Sequence, residues 1–427
     1  MKNINKYYFI IINSLFAVFP LSIILGNLFI NLNVILLSIS ALIFYNTKIT
    51  KFKINFLDKI ILIFFCYVLT TLIINFLDSY LSGEIFPKFI ISKSLFYLKY
   101  LILYLVLRFL MTQKILRLDW FFYACAICAA FVCIDIFIQF SFGKNIFGLE
   151  PISQRHFSGV FGNELIAGGY LQRFSLFCIF LPFIIFKKNF FHKVSIQFTV
   201  FVIFASGIIL SGNRMPLILF VLAFLIYIIL EKQFRKYFLI VITITFLFLS
   251  LNFSLNKTFK LNASVFYVNA ITLVTSFTSK DVYKLPMGVW DNPYVTEFYC
   301  FKLVWEKNPF FGGGVKSYRA TKGCTTHPHN YYFEILTDLG IFGLSIILFF
   351  ISTLLYKIFF NRFFTLRSNL STLNAKSMPF FLLLFIEFFP IRSTGSFFTT
   401  SNATIIFMMF AFLINISKLN FREIKSR

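Results

Sequence analysis

The sequence predicts an all-α integral membrane protein of about 12 transmembrane helices, with one long outer loop between helices 9 and 10. Three observations carry this reading. Of 427 residues, 59% are hydrophobic and only 13% are charged, whereas a soluble domain carries about 45–50% apolar and about 25% charged residues. The apolar runs are continuous and approach the roughly 20 residues that one spanning helix needs. Lys and Arg gather on alternate connecting segments, as they do on cytoplasmic loops of multi-pass proteins. Disorder is excluded, because it needs low hydrophobicity. The net charge of +24 reads as loop charge, and no nucleic-acid partner is expected.

The elements follow in chain order. The first span, residues 7–25, has no small-residue cleavage site after it and reads as an anchor. Gly26-Asn27 separates it from the second, 28–45. Spans at 56–77, 94–111 and 120–142 come next, then 166–186, 194–211, 216–230 and 237–252. After the long loop come 335–356, 378–390 and 402–416. None of these runs alternates, so they are helices and not barrel strands. The chain divides into spans 1–9 (residues 1–252), a loop with an interfacial helix (253–334) and spans 10–12 (335–427).

Orientation follows from the cations. With the N-terminus inside, inner segments carry 21 Lys and Arg residues, from Lys2 to Arg427. The short outer loops carry six: Lys88, Lys93, Lys144, Arg155, Arg214 and Arg392. Both termini are therefore expected in the cytoplasm. Lys59, Lys99, Arg108 and Arg173 fall inside spans near their ends, where long side chains can snorkel. Asp135 and Glu387 are few charges for the middle of so many spans, which disfavours an ion-coupled pump. Cys125 and Cys128, one helical turn apart, read as helix packing.

The outer loops hold the chemistry. Tyr294–Lys307 reads as an aromatic-rich helix on the membrane surface, stopped by Asn308-Pro309. Gly312-Gly313-Gly314 then forms a turn whose backbone N–H groups could approach an anion; a flexible turn is the plainer reading. His327-Pro328-His329-Asn330 precedes span ten. Pro328 suits a first helical turn, which puts both imidazoles at a helix N-terminus on the outer boundary. The helix dipole disfavours imidazolium there, and a neutral His is what a general base requires. A capping or interfacial His fits the same spacing. Cys324, His327 and His329 offer three ligands, but the spacing matches no common zinc pattern, and no metal is expected. Cys300 and Cys324 are a candidate disulfide if the loop faces an oxidising compartment. The turn Ser211-Gly212-Asn213-Arg214 places an Arg outside, suited to phosphate oxygens or to anchoring at the interface. Arg155, His156, Glu164 and Arg173 add mixed charge around span six. Outer arginines beside a neutral His point to a lipid carrying a pyrophosphate. The arginines would stabilise the leaving group and the base would activate an acceptor hydroxyl.

These pieces resemble the O-antigen ligase / O-antigen polymerase superfamily. The resemblance rests on Arg155–Glu164 ahead of a helix, Ser211-Gly212-Asn213-Arg214, and Asn308-Pro309-Phe310-Phe311-Gly312-Gly313-Gly314. It continues through His327-Pro328-His329-Asn330 and Glu334–Gly343 to Phe389-Pro390 with Ser396-Phe397-Phe398. It implies a metal-independent, cofactor-free glycosyltransferase in the bacterial inner membrane with its active site facing the periplasm. The donor would be an undecaprenyl-pyrophosphate-linked glycan, and the ligase acceptor lipid A–core. His329 would be the base, His327 would assist, and Arg214 would bind pyrophosphate. Arg155, Arg173, Gly313 and Asn330 are candidate substrate contacts. Two departures stand out. Asn213 replaces a frequent Glu, and the interfacial helix reads Thr296-Glu297 where the family often has Arg. Lys302 and Arg319 are the candidate substitutes for that cation. The alternative within the superfamily is a polymerase joining carrier-linked repeats. A non-catalytic transporter of lipid-linked glycan would show charged spans and internal repeats, and neither stands out.

Overall fold

The structure is a computed structural model. It describes residues 2–49, 52–83, 85–153, 155–186, 190–230, 293–321, 323–365, 375–392 and 395–425, with isolated positions between 243 and 271. Most of the ninth expected span and the first half of the long loop lie outside the described residues. Fourteen helices make up the described fold: α1 (Lys2–Ala17), α2 (Phe19–Ile24), α3 (Asn27–Ile49), α4 (Phe56–Ser82), α5 (Lys88–Tyr97), α6 (Lys99–Thr112), α7 (Leu118–Phe142), α8 (Ala167–Ile185), α9 (Phe190–Leu210), α10 (Arg214–Leu230), α11 (Pro293–Trp305), α12 (Tyr331–Thr365), α13 (Met378–Glu387) and α14 (Thr400–Lys425). Among the described residues the only extended pairing is one isolated bridge, Ser153 to His156.

Among the described residues seven helical stretches are long and apolar enough to cross a membrane: Asn27–Tyr45, Phe56–Ser82, Lys88–Thr112, Leu118–Phe142, Ala167–Ile185, His192–Leu210 and Tyr331–Phe359. Arg214–Leu230, Met378–Glu387 and Thr400–Asn415 are apolar but shorter. The protein is thus an all-α membrane protein. Two expected single spans are broken. The chain turns between α1 and α2, where Pro20 occupies the first turn of α2. Span four is two helices joined at Leu98.

Local chemistry sets several ends. Asn55 caps α4 by accepting the Asp58 N–H at 2.8 Å, and the Asp58 carboxylate accepts the Asn55 N–H at 2.9 Å, a reciprocal capping box. α4 stops at Gly83, in the left-handed region at φ +72°. The core is a bundle around α8, which packs against α7, α9, α10 and α13. α14 lies against α3, α6, α12 and α13, and nearly every described residue of its apolar stretch is buried.

Two arginines expected to snorkel do not. Arg108 is fully buried and bonds Asp58 at 2.8 Å, with Tyr104 donating to the same carboxylate at 2.5 Å and Asn415 accepting from the guanidinium. Arg173 also turns inward, as described below. Burying an ion costs several kcal/mol unless it is paired and hydrogen-bonded, and both are. In each case the partner lies dozens to hundreds of residues away in sequence.

α12 is interrupted at Gly340, with φ +66°. The break frees backbone groups, and the Asn308–Gly314 segment takes them. Gly313 and Gly314 donate N–H bonds to the Thr337 and Asp338 carbonyls at 2.9 and 2.8 Å, while Ile341 N–H donates to the Pro309 carbonyl at 3.0 Å. Tyr67 Oη donates to the Leu339 carbonyl at 2.9 Å, and Asn75 Nδ2 to the Gly312 carbonyl at 2.9 Å. A side chain at Gly340 would meet the Phe310 oxygen at 2.2 Å, and one at Gly312 would meet the Asp338 and Leu339 backbone at 2.4 Å. Both positions require glycine so that loop and helix can touch backbone to backbone.

Candidate functional site

A cavity of about 550 Å³ opens where α2, α3, α8, α10, the loop before α12 and the turn before α14 converge. Its lining mixes apolar residues, Ile23, Ile30, Leu165, Ile166, Phe174 and Pro216, with polar ones, Glu164, Arg173, Asn213, His327, His329, Arg392, Ser396 and Asn402. A lining of this composition can hold an amphiphile.

The polar lining rests on two buried networks. In the first, Glu387 at the end of α13 accepts Arg173 Nε at 2.7 Å and Arg173 Nη2 at 3.1 Å. It also pairs with Arg392 and accepts the Tyr331 hydroxyl at 3.1 Å. Asn402 Oδ1 accepts Arg173 Nη2 at 2.7 Å, and the Arg392 guanidinium lies 4.8 Å from the Tyr331 ring centroid. Two guanidiniums share this one buried carboxylate. In the second network, Glu334 accepts Ser396 Oγ at 2.5 Å and the Phe397 N–H at 2.6 Å, with Lys316 Nζ at 3.5 Å. Asp338, one turn further along α12, accepts the Lys316 N–H at 2.6 Å and Ser317 Oγ at 3.1 Å. Burial lowers the Lys316 pKa, against the opposing pull of Glu334 and Asp338.

The two histidines sit just ahead of α12, not in its first turn: the helix begins at Tyr331, and Pro328 lies in the preceding loop. Their ring centroids are 4.2 Å apart. His329 takes φ +40°, a strained backbone for a non-glycine residue and frequent at functional sites. Burial lowers the His329 pKa. Burial lowers that of His327 to about 3, helped by His329, Lys316 and Arg319. Both imidazoles are therefore neutral near pH 7. Desolvation, which the sequence does not display, does most of this, and the helix dipole assumed from the sequence is secondary. Glu297 of α11 reaches His329 Nε2 with Oε1 at 3.6 Å, and burial raises its carboxyl pKa to about 7. Cys300 and Cys324 are joined in a disulfide with a Cα–Cα separation of 5.8 Å, inside the bridging range. Cys324 is thereby removed from any thiolate ligand set.

The expected site residues do not all converge. His327, His329 and Arg173 line the cavity. Arg214 opens α10 between Asn213 and Pro216, which both line it. A cation there adds to the positive field of the helix N-terminus, and with Arg155 it helps burial lower the His156 pKa. Arg155 belongs to the loop against which Gly212 packs: a side chain at Gly212 would meet the Arg155 carbonyl oxygen at 2.2 Å. Asn213 clamps α8, accepting the Gly168 N–H at 3.0 Å and donating to the Leu165 carbonyl at 3.2 Å. A Glu could not do both. Asn330 caps α12 through the Tyr332 N–H at 2.9 Å and donates to the Pro390 carbonyl at 2.8 Å. The Gly313 amide is taken by Thr337, so it is not presented to an anion. Arg319 is exposed on the turn Ser317–Ala320. Lys302 is exposed and faces Glu306 at 3.7 Å. Arg392, Glu387 and Tyr331 were missed as site residues. Their only signal in the sequence is a charge or hydroxyl beside an apolar run.

Residues 199–348 match the family described as O-Antigen ligase. That segment contains Arg214, Glu297, the glycine turn, His327, His329 and the first half of α12. No curated protein matches the chain.

Proposed function

We propose that this chain is a ligase of the O-antigen ligase / O-antigen polymerase superfamily, a reading supported by the match of residues 199–348 to the O-antigen ligase family. It takes glycan from undecaprenyl pyrophosphate and attaches it to lipid A–core, at the periplasmic face of the bacterial inner membrane. The observation that carries this reading is the cavity itself, whose lining brings two neutral imidazoles together with Arg173, Arg392 and a set of apolar side chains. The apolar lining suits a polyprenyl chain. Arg173 and Arg392, with Arg214 at the edge, supply the field for a diphosphate.

In the proposed reaction, His329 takes the proton of an acceptor sugar hydroxyl. That oxygen bonds the anomeric carbon as the bond from this carbon to the pyrophosphate oxygen breaks, and the electron pair leaves with the diphosphate. A positioned base contributes about 10²–10⁴-fold, and fixed cations stabilise the charge that develops on the leaving group. His327 supports His329 from ring contact distance. Two independent observations favour an outward-facing site: the 21-to-6 cation bias of the short loops, and a disulfide in the histidine-bearing loop, which persists in an oxidising compartment.

The glycan profile of a deletion strain tests the ligase reading. Loss of all polymer from lipid A–core, with carrier-linked polymer accumulating, is the expected result. Core bearing a single repeat would make the protein a polymerase instead.

A further inference from the structure

Glu297 stands on α11, the helix that packs across the mouth of the histidine loop. Three contacts fix it there. Phe301, one turn along from Glu297, stacks on Phe333 of α12 with centroids 4.2 Å apart. Phe298 meets the same ring at 6.0 Å. Cys300, three residues after Glu297, is bonded to Cys324, five residues before His329. The carboxylate side chain is only 17% exposed, and its Oε1 lies 3.6 Å from His329 Nε2. No other acid is brought this close to either histidine of the cavity among the described residues.

We propose that Glu297 is the positioning residue of His329: its carboxylate accepts the Nε2–H, fixes the tautomer with Nδ1 as the lone-pair nitrogen, and stabilises the imidazolium formed when Nδ1 takes the acceptor proton. This rests on the reading of His329 as the base. At 3.6 Å the two atoms are within ion-pair distance and a shift of about half an ångström short of a hydrogen bond. A carboxylate that orients a histidine without itself touching substrate is the ordinary way to hold such a base in register. The disulfide is then the staple that keeps acid and base on their two elements. The other charged or titratable groups facing the pair are His327 at ring contact, Tyr318 beside Glu297, Lys316 and Arg319 beside His327, and Glu164, Arg173 and Arg392 across the cavity. Of these, none supplies a second carboxylate on the α11 side. Burial sets the Glu297 carboxyl near 7. It therefore ionises just where transfer has to operate, and below that pH the base loses its partner.

The test is a pH profile of glycan transfer with the full-length protein, its carrier-linked donor and lipid A–core, for wild type, Glu297→Gln and His329→Ala. For Glu297→Gln we expect kcat to fall at least about tenfold with donor KM unchanged, and the acid limb near pH 7 to move lower. The Cys300–Cys324 disulfide, read by mass spectrometry, should remain intact. Wild-type kcat and an unmoved acid limb for Glu297→Gln, with His329→Ala inactive, would overturn the role of Glu297 and leave the base standing. An active His329→Ala would remove both. A measurement on the unaltered protein guards against a variant that fails to fold. The rate at which diethyl pyrocarbonate modifies His329, followed against pH by mass spectrometry, should show an inflection near 7 from Glu297 as well as a lower one. A single inflection below 6.5 would overturn the proposal.

Discussion

Arg173 and Glu387 are 214 residues apart in sequence and meet at 2.7 Å beneath the cavity. The Arg173 side chain is 10% exposed and that of Glu387 is fully buried. Neither charge would be tolerable alone at that depth. Removing one partner of such a pair leaves an uncompensated buried charge and costs about 3–5 kcal/mol. Glu387→Gln should therefore lower the melting temperature in detergent sharply, and transfer should fall with it, because Arg392 loses the same partner. An unchanged melting curve would contradict this.

Gly340 is predicted to be irreplaceable. Gly340→Ala adds the cost of holding a non-glycine residue at φ +66°, ψ −171°, about 1–3 kcal/mol, to a collision with the Phe310 oxygen. The loop that carries Lys316 and the histidines would be pushed off α12. Limited proteolysis should cut between residues 305 and 330 faster than in the wild type. Equal resistance to protease would show that the loop is held by other contacts.

The histidine loop should be acid-sensitive. The folded pKa of His327 lies near 3, below its ordinary 6.5, so the unfolded chain binds its proton more readily. Stability from this residue is complete above about pH 6.5 and is lost as pH falls toward 3. His327→Gln should flatten that slope in thermal melts taken across the interval. A slope unchanged by the substitution would place the acid sensitivity elsewhere.

The sequence displayed the helices better than their joints. Apolar runs at 56–77, 120–142 and 335–356 fall within the helices found, and 194–211 overruns α9 by one residue, because a spanning helix must satisfy its backbone internally and shows it as continuous hydrophobicity. The breaks at Ala17–Phe19 and Leu98 carry only faint signals, Pro20 just after the first and Lys99 just after the second, inside runs that are otherwise apolar. His327 and His329 were legible as a pair, and the Cys300–Cys324 pairing as a candidate. What placed them in a cavity was not. Arg173 and Arg108 looked like snorkelling end residues, because their partners, Glu387 and Asp58, are distant in sequence and only packing joins them. Glu297 was read as the absence of an expected cation, when its position is that of a carboxylate facing His329. The glycine turn reads from the sequence as a flexible turn, with an anion cradle as the alternative. Its amides are spent on the carbonyls of Thr337 and Asp338, which the Gly340 break exposes.

His329 is the side chain on which the proposed reaction turns. Glycan transfer by His329→Ala, measured with purified protein, carrier-linked donor and lipid A–core at pH 7.5, should fall by about 10²–10⁴-fold, with binding of the donor retained and no change in melting temperature large enough to explain the loss. Transfer at the wild-type rate would contradict the assignment of His329 as the base, and with it the reaction proposed for this cavity.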